Sequence, residues 1–133
     1  MKLIVCGPIA YGKIQEIKEL QRILKEKGFE VIDQFQEKKV DYSSIEDFRG
    51  KKRLAEKIVR NDLKFIEKCD VVVAICDKPS FGTAMEIYYA KGLGKKVIVL
   101  NETAQRSPWP IAFADQIVKN KEELIKALLK LGS

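Results

Sequence analysis

Histidine is missing altogether: the 133 residues contain none. That removes the usual zinc spacings, the Ser-His-Asp arrangement and the Cys-His pair, and leaves acid or base chemistry to carboxylates, lysine or tyrosine. Cysteine is scarce, with only Cys6, Cys69 and Cys76, and no C-x-x-C pair among them. Each lies in or beside an apolar, strand-like run, where a small buried thiol fills space. No apolar run approaches the roughly 18 residues of a membrane span, and the one in MKLIVCGPIAYGK is too short for a signal-peptide core. The expectation is a cytoplasmic protein with no membrane partner. Four prolines and eight glycines rule out a fibrous or low-complexity chain.

What is present is ordinary for a soluble globular protein, 46% hydrophobic and 33% charged residues. A chain of this length buries about two-thirds of the surface its unfolded form exposes, so one domain over residues 1–133 is expected. The formal charge of +6 would suit a phosphate-bearing partner. The lysines, however, alternate with glutamates along QEIKELQRILKEKGFE and KNKEELIKALLK, as on solvated helix faces. With no basic-aromatic cluster beside them, no nucleic-acid partner is expected.

Along the chain, strand and helix patterns alternate. KLIVCG is a short apolar run ended by Gly-Pro, hence a buried strand with a turn at its carboxyl end. From Gln15 to Lys27, Ile17, Leu20, Ile23 and Leu24 recur at helical spacing, and Gly28 supplies the stop. FEVID predicts a second strand. Residues 34–50 form a polar, irregular stretch, long enough to act as a flap over a site. KKRLAEKIVRNDLKFIEKC predicts a long helix and DVVVAIC a strand buried on both faces. Helix GTAMEIYYAKGL, strand KKVIVL, a loop, strand DQIVK and helix KEELIKALLKL complete the chain. This order predicts an α/β, doubly wound (flavodoxin-like or Rossmann-like) three-layer sandwich. Its parallel sheet has about five strands and takes ligands beyond their carboxyl ends.

Two carboxylates break the pattern. Leu54, Ala55, Ile58, Val59, Leu63 and Ile66 make an apolar stripe on the long helix, and Asp62 falls inside it. A buried, ionised and unpartnered group costs several kcal/mol, roughly, so this Asp is either a paired structural residue or one that faces a cleft. Glu86 follows Thr83 at the spacing of a helix-start capping box. The alternative is that it points into a ligand cleft at the edge where DVVVAIC ends. Two carboxylates in one cleft suffice to break a glycosidic bond with retained configuration, without metal or histidine. In CGPIAYGK, Gly7 and Gly12 permit close backbone approach to a ligand. Gly7, Gly12 and Lys13 have the spacing of a phosphate loop, but Ile14 stands where a hydroxyl should bind magnesium. Ser80 precedes the Glu86 helix, where it is either an ordinary turn residue or a contact for a sugar or phosphate. Tyr88, Tyr89 and Trp109 are expected to pack, Trp109 with a subunit contact as the other option.

These residues carry a likeness. LIVCGP, the Asp-Leu at Asp62, the strand opening Asp-Val-Val and the G-x-x-x-E helix start resemble the nucleoside 2-deoxyribosyltransferase family, including relatives that hydrolyse 2'-deoxynucleoside 5'-monophosphates at the N-glycosidic bond. The resemblance implies an N-glycosidase or transferase acting on a (deoxy)nucleoside or its 5'-monophosphate, with no cofactor and no metal. It implies Glu86 as the nucleophile that forms a glycosyl-enzyme intermediate and Asp62 as the acid assisting the leaving base. Gly7, Pro8, Ile9, Ser80 and Gly82 would hold substrate. It also implies a homodimer or higher homo-oligomer, with a neighbouring subunit completing each site. The chain departs from the family at three positions: Ile4 replaces a Tyr in the first strand, and Pro8 and Ala10 replace a Ser and an Arg, which weakens the case for a monophosphate. The partner-subunit Ser or Asn expected near Pro110 is missing, though Ser107 is close by; Lys13 and Arg106 are the candidates to replace the lost positive charge. An alternative is a catalytically inactive nucleotide-binding sensor or interaction module of the same fold. A phosphoribohydrolase shares the G-T-x-x-E letters of Gly82 to Glu86 but not the Pro-Gly-Gly lead.

Overall fold

Short runs dominated by Val, Ile and Leu form strands that must be covered on both faces, and three such runs, two of them led by an exposed lysine, make the centre of this molecule. They are β1 (Lys2–Cys6), β3 (Val71–Ile75) and β4 (Lys96–Leu100). The structure is a computed structural model that describes residues 1–10, 13–35 and 44–132. Gly12 and residues 36–43 of the expected flap lie outside the described residues. β2 (Glu30–Val31) and β5 (Gln116–Val118) complete a five-stranded parallel sheet of order β2-β1-β3-β4-β5. This is the doubly wound order expected, with its switch point between β1 and β3.

Helices α1 (Ile14–Glu26), α2 (Lys52–Lys68), α3 (Phe81–Gly92), α4 (Pro108–Phe113) and α5 (Lys121–Gly132) connect the strands and follow the last one. Strand side chains alternate between faces, so β1 feeds two cores. Leu3 and Val5 join Ile17, Leu20 and Leu24 of α1 and Leu124 and Leu128 of α5. Ile4 and Cys6 join Phe65 and Ile66 of α2 and Ile87 and Ala90 of α3. Gly28 ends α1 as expected, with φ +91° and its N–H donating to Lys25 O at 3.0 Å.

Three expectations need correction. The second strand is Glu30–Val31 rather than all of FEVID, because only these two residues pair with β1. The segment after β4 is not wholly loop: Ser107 accepts from Trp109 N at 3.3 Å and Pro108 opens the short α4. On α2 the stripe is shallower than its sequence suggests, since Val59 is 53% exposed and the buried positions are Phe65 and Ile66.

Candidate functional site

β1 and β3 lie side by side, while α1 covers one face of the sheet and α2 and α3 the other. The crevice between their carboxyl ends is where an open α/β sheet leaves room for a ligand. A narrow crevice of about 10 Å³, room for roughly one water, lies there, lined by Ile4, Cys6, Gly7, Ile9, Ile17, Gln34, Asp62 and Glu86. The two carboxylates thus meet in one space, Asp62 from α2 and Glu86 from α3, both half-buried. Cys6, at the end of β1, lines the same space, and its Sγ donates to Glu86 Oε2 at 3.3 Å.

Gly7 and Ile9 form part of the wall. At Gly7 a Cβ would stand 3.2 Å from Ile75 Cβ and 3.3 Å from Ile17 Cγ1, so the backbone passes where no side chain fits without displacing its neighbours. Gln34 is 6% exposed; its Nε2 donates to Val5 O at 2.7 Å and its Oε1 accepts from Gln21 Nε2 at 2.9 Å. Pro8 is buried but is not among the lining residues. Gly82 opens α3 one turn before Glu86, and a Cβ there would lie 3.8 Å from Glu86 Oε1.

The Thr83–Glu86 capping box does not form. Ser80, extended at φ −151° and ψ 120°, starts the helix a turn earlier, and its Oγ accepts from both Thr83 N at 3.2 Å and Thr83 Oγ1 at 3.0 Å. Glu86 therefore lies one turn too deep to reach back to the cap. Its side chain reaches β1 instead.

Ser80 lines a second and larger cavity, of about 690 Å³, with Gln105, Arg106, Ser107, Trp109 and Pro110 across from it. The far wall is held by a hydrogen-bond network at the ends of β3 and β4. Asp77 Oδ1 accepts from Glu102 N at 2.8 Å and from Thr103 N and Oγ1 at 3.0 Å each. Gln105 Nε2 donates to Cys76 O at 2.9 Å and to Asn101 Oδ1 at 2.6 Å. Lys13, a candidate for the missing positive charge, pairs with Glu16 at 3.6 Å. Arg106 is exposed on the rim of the second cavity.

Sequence reasoning missed Cys6, Gln34 and Asp77. For Gln34 a signal existed: Gln21 interrupts the Ile17, Leu20, Leu24 stripe of α1, as a buried partner would require. Burial pushes the thiols of Cys69 and Cys76 up to about 11 and about 12. For Cys6 burial, followed by the Glu86 charge, raises the value well above the ordinary one. Among the described residues no group of three or more His, Cys, Asp and Glu side chains is placed to hold a metal ion. No helix of the described residues is long and apolar enough to cross a membrane.

The model of the family described as nucleoside 2-deoxyribosyltransferase matches residues 5–128. The chain belongs to that family. The expected type of enzyme, N-glycosidase or nucleoside deoxyribosyltransferase, is that of the family. A search of curated proteins gives no match. Among solved structures the chain is similar to a 2-deoxyribosyltransferase from Bacillus psychrosaccharolyticus, at 13% identity over 93% of this chain and 90% of that one, with a TM-score of 0.67. It is also similar to a CMP N-glycosidase from Clostridium botulinum, at 24% identity over 96% and 97% of the two chains and a TM-score of 0.58. A 3-dehydroquinate dehydratase-like protein from Bifidobacterium longum aligns at 15% identity over 100% and 98%, TM-score 0.55. At these identities the likeness concerns the fold.

Proposed function

We propose that the protein breaks the N-glycosidic bond of a nucleoside, deoxynucleoside or 5'-monophosphate, with Glu86 as nucleophile and retained configuration at the sugar. The observation that carries this is the shared cavity of Asp62 and Glu86 at the switch point of the sheet. In the first step a Glu86 oxygen bonds to the anomeric carbon as the C–N bond breaks, and Asp62 protonates or orients the departing base. In the second, water or another base attacks the same carbon and frees the carboxylate. Gly7 and Ile9 line the cavity, a Cβ at Gly82 would lie 3.8 Å from Glu86 Oε1, and Ser80 caps α3 from the second cavity; these are the residues we assign to holding the sugar or its phosphate.

The face around the second cavity supports homo-oligomer formation. Phe81, Met85 and Tyr88 of α3 are 91%, 70% and 64% exposed, and Trp109 and Ile111 of α4 are 67% and 42% exposed. A contiguous apolar surface of this kind marks a protein contact, and a second copy of the chain is the occupant we assign to it.

The decisive experiment incubates the protein with a panel of ribo- and deoxynucleosides and their 5'-monophosphates and measures free base by chromatography. Release by the parent and none by Glu86→Ala is expected. Equal release by both would remove Glu86 as nucleophile, while tight nucleotide binding with no release from any substrate would favour the sensor.

A further inference from the structure

Cys6 is the last residue of β1 on the face that meets α2 and α3. It is 2% exposed, and its neighbours on that face include Ile4, Val72, Ala74 and Ile87. A cysteine at such a place reads as filler. Its Sγ nevertheless directs a hydrogen at Glu86 Oε2, 3.3 Å away, across the wall of the cavity that also holds Asp62. Ile4, two residues earlier on the same face, lines that cavity too but carries no donor. The hydrogen available from this face of β1 therefore comes from the thiol.

We propose that Cys6 is a positioning residue for the nucleophile, its S–H holding one carboxylate oxygen and so setting the plane in which Glu86 meets the anomeric carbon, a role that rests on Glu86 being the nucleophile. Two requirements of such a role are met. The donor must keep its proton: burial, reinforced by the charges of Glu86, Cys69 and Asp62, raises the Cys6 thiol well above its ordinary value. The donor must also be fixed, and Cys6 sits in strand pairing with Ala74, within the sheet rather than on a loop. A thiol is a weak donor, so it orients the carboxylate without binding it strongly enough to blunt its attack.

A hydrogen bond to the charged form of a carboxylate favours ionisation. The titratable groups on this face, among the described residues, are Glu86 on α3, Asp62 on α2, Cys69 at the end of α2 and Cys76 after β3. None of these residues is replaced by substitution at position 6, so a shift of the acid limb reports the donor lost to Glu86.

The test uses three variants with base release as the readout: Cys6→Ala and Cys6→Val remove the donor, Ala leaving a small void and Val adding one carbon, and Cys6→Ser restores one. Cys6→Val and Cys6→Ala are expected to lose about fivefold in kcat, less than an ordinary hydrogen bond to a charged group would supply because the thiol donates weakly. KM should change less, and the acid limb of the kcat profile should move to higher pH. Cys6→Ser should recover most of the lost kcat and return the limb toward its parental position. Thermal melting identifies any variant that fails to fold, and the remaining pair then decides. The proposal is overturned if Cys6→Val keeps the parental kcat and acid limb, or if Cys6→Ser falls as far as Cys6→Ala. Failure of the nucleophile assignment looks different: the parent releases no base, or Glu86→Gln releases it as fast as the parent, and Cys6 then has nothing to position.

Discussion

Asp62 shows how a single residue declares itself by being in the wrong place. A carboxylate in the apolar stripe of α2 costs free energy unless something compensates it, and that cost is what makes it legible in the amino-acid order alone. If it protonates the leaving base, its worth depends on the base. Asp62→Asn should slow release of an ordinary purine by about 100-fold or more. With a purine methylated at N7, which leaves as a neutral molecule without being protonated, the same variant should approach the parental rate. Equal slowing on both substrates, measured by chromatography of the free base, would instead assign Asp62 to binding. Glu86 lies in the same cavity, but the local pattern that explains its position by capping misleads. T-x-x-E is a spacing within one turn, and the true cap, Ser80, sits one turn earlier and takes both hydrogens of Thr83. Cys6 leaves no mark in the sequence, since a thiol in a strand has the same periodicity whether it packs or donates.

At the scale of elements, long apolar runs and amphipathic helices are readable because their period is set by burial on one side or two. The ends are not. α4 is only six residues long and carries two prolines, too short for a period to show. The joint between α3, β4 and β5 depends on one side chain: Asp115 accepts from Lys91 Nζ at 2.8 Å and from Val97 N at 2.8 Å. Partial burial pushes the Asp115 carboxyl up, but the Lys91 ammonium and the Val97 N–H prevail and hold it below its ordinary value of 3.8. Because the folded value is the lower one, this stabilisation is complete above the unfolded value and is lost as pH falls through the folded one. Asp115→Asn should therefore lower the thermal midpoint at pH 6 to 7 and narrow the gap to the parent below about pH 3. A gap that stays constant down to pH 2, followed by circular dichroism, would separate the stability of this joint from the ionisation of Asp115.

The whole molecule presents a surface of which the sequence offered only Trp109, as one of two options. Phe81 and Met85 have the hydrophobic character of core residues, yet α3 turns them outward beside Trp109. Periodicity says which residues share a face, not whether water or protein lies beyond it, so the exposed face becomes visible only once the helices are in place. If a second copy covers it, the double variant Met85→Lys, Trp109→Glu should sediment as a monomer of about half the parental mass while keeping its melting behaviour near that of an isolated parental subunit. A parent that is already monomeric at micromolar concentration would assign the face to another partner.

The main-chain passage at Gly7 limits how such a protein can be redesigned. With Ile75 on one side and Ile17 on the other, the wall of the cleft at Gly7 is main chain, and a side chain introduced there would have to displace both neighbours. Altered selectivity has to come from the neighbouring positions, of which Ile9, only partly covered, is the first handle to turn.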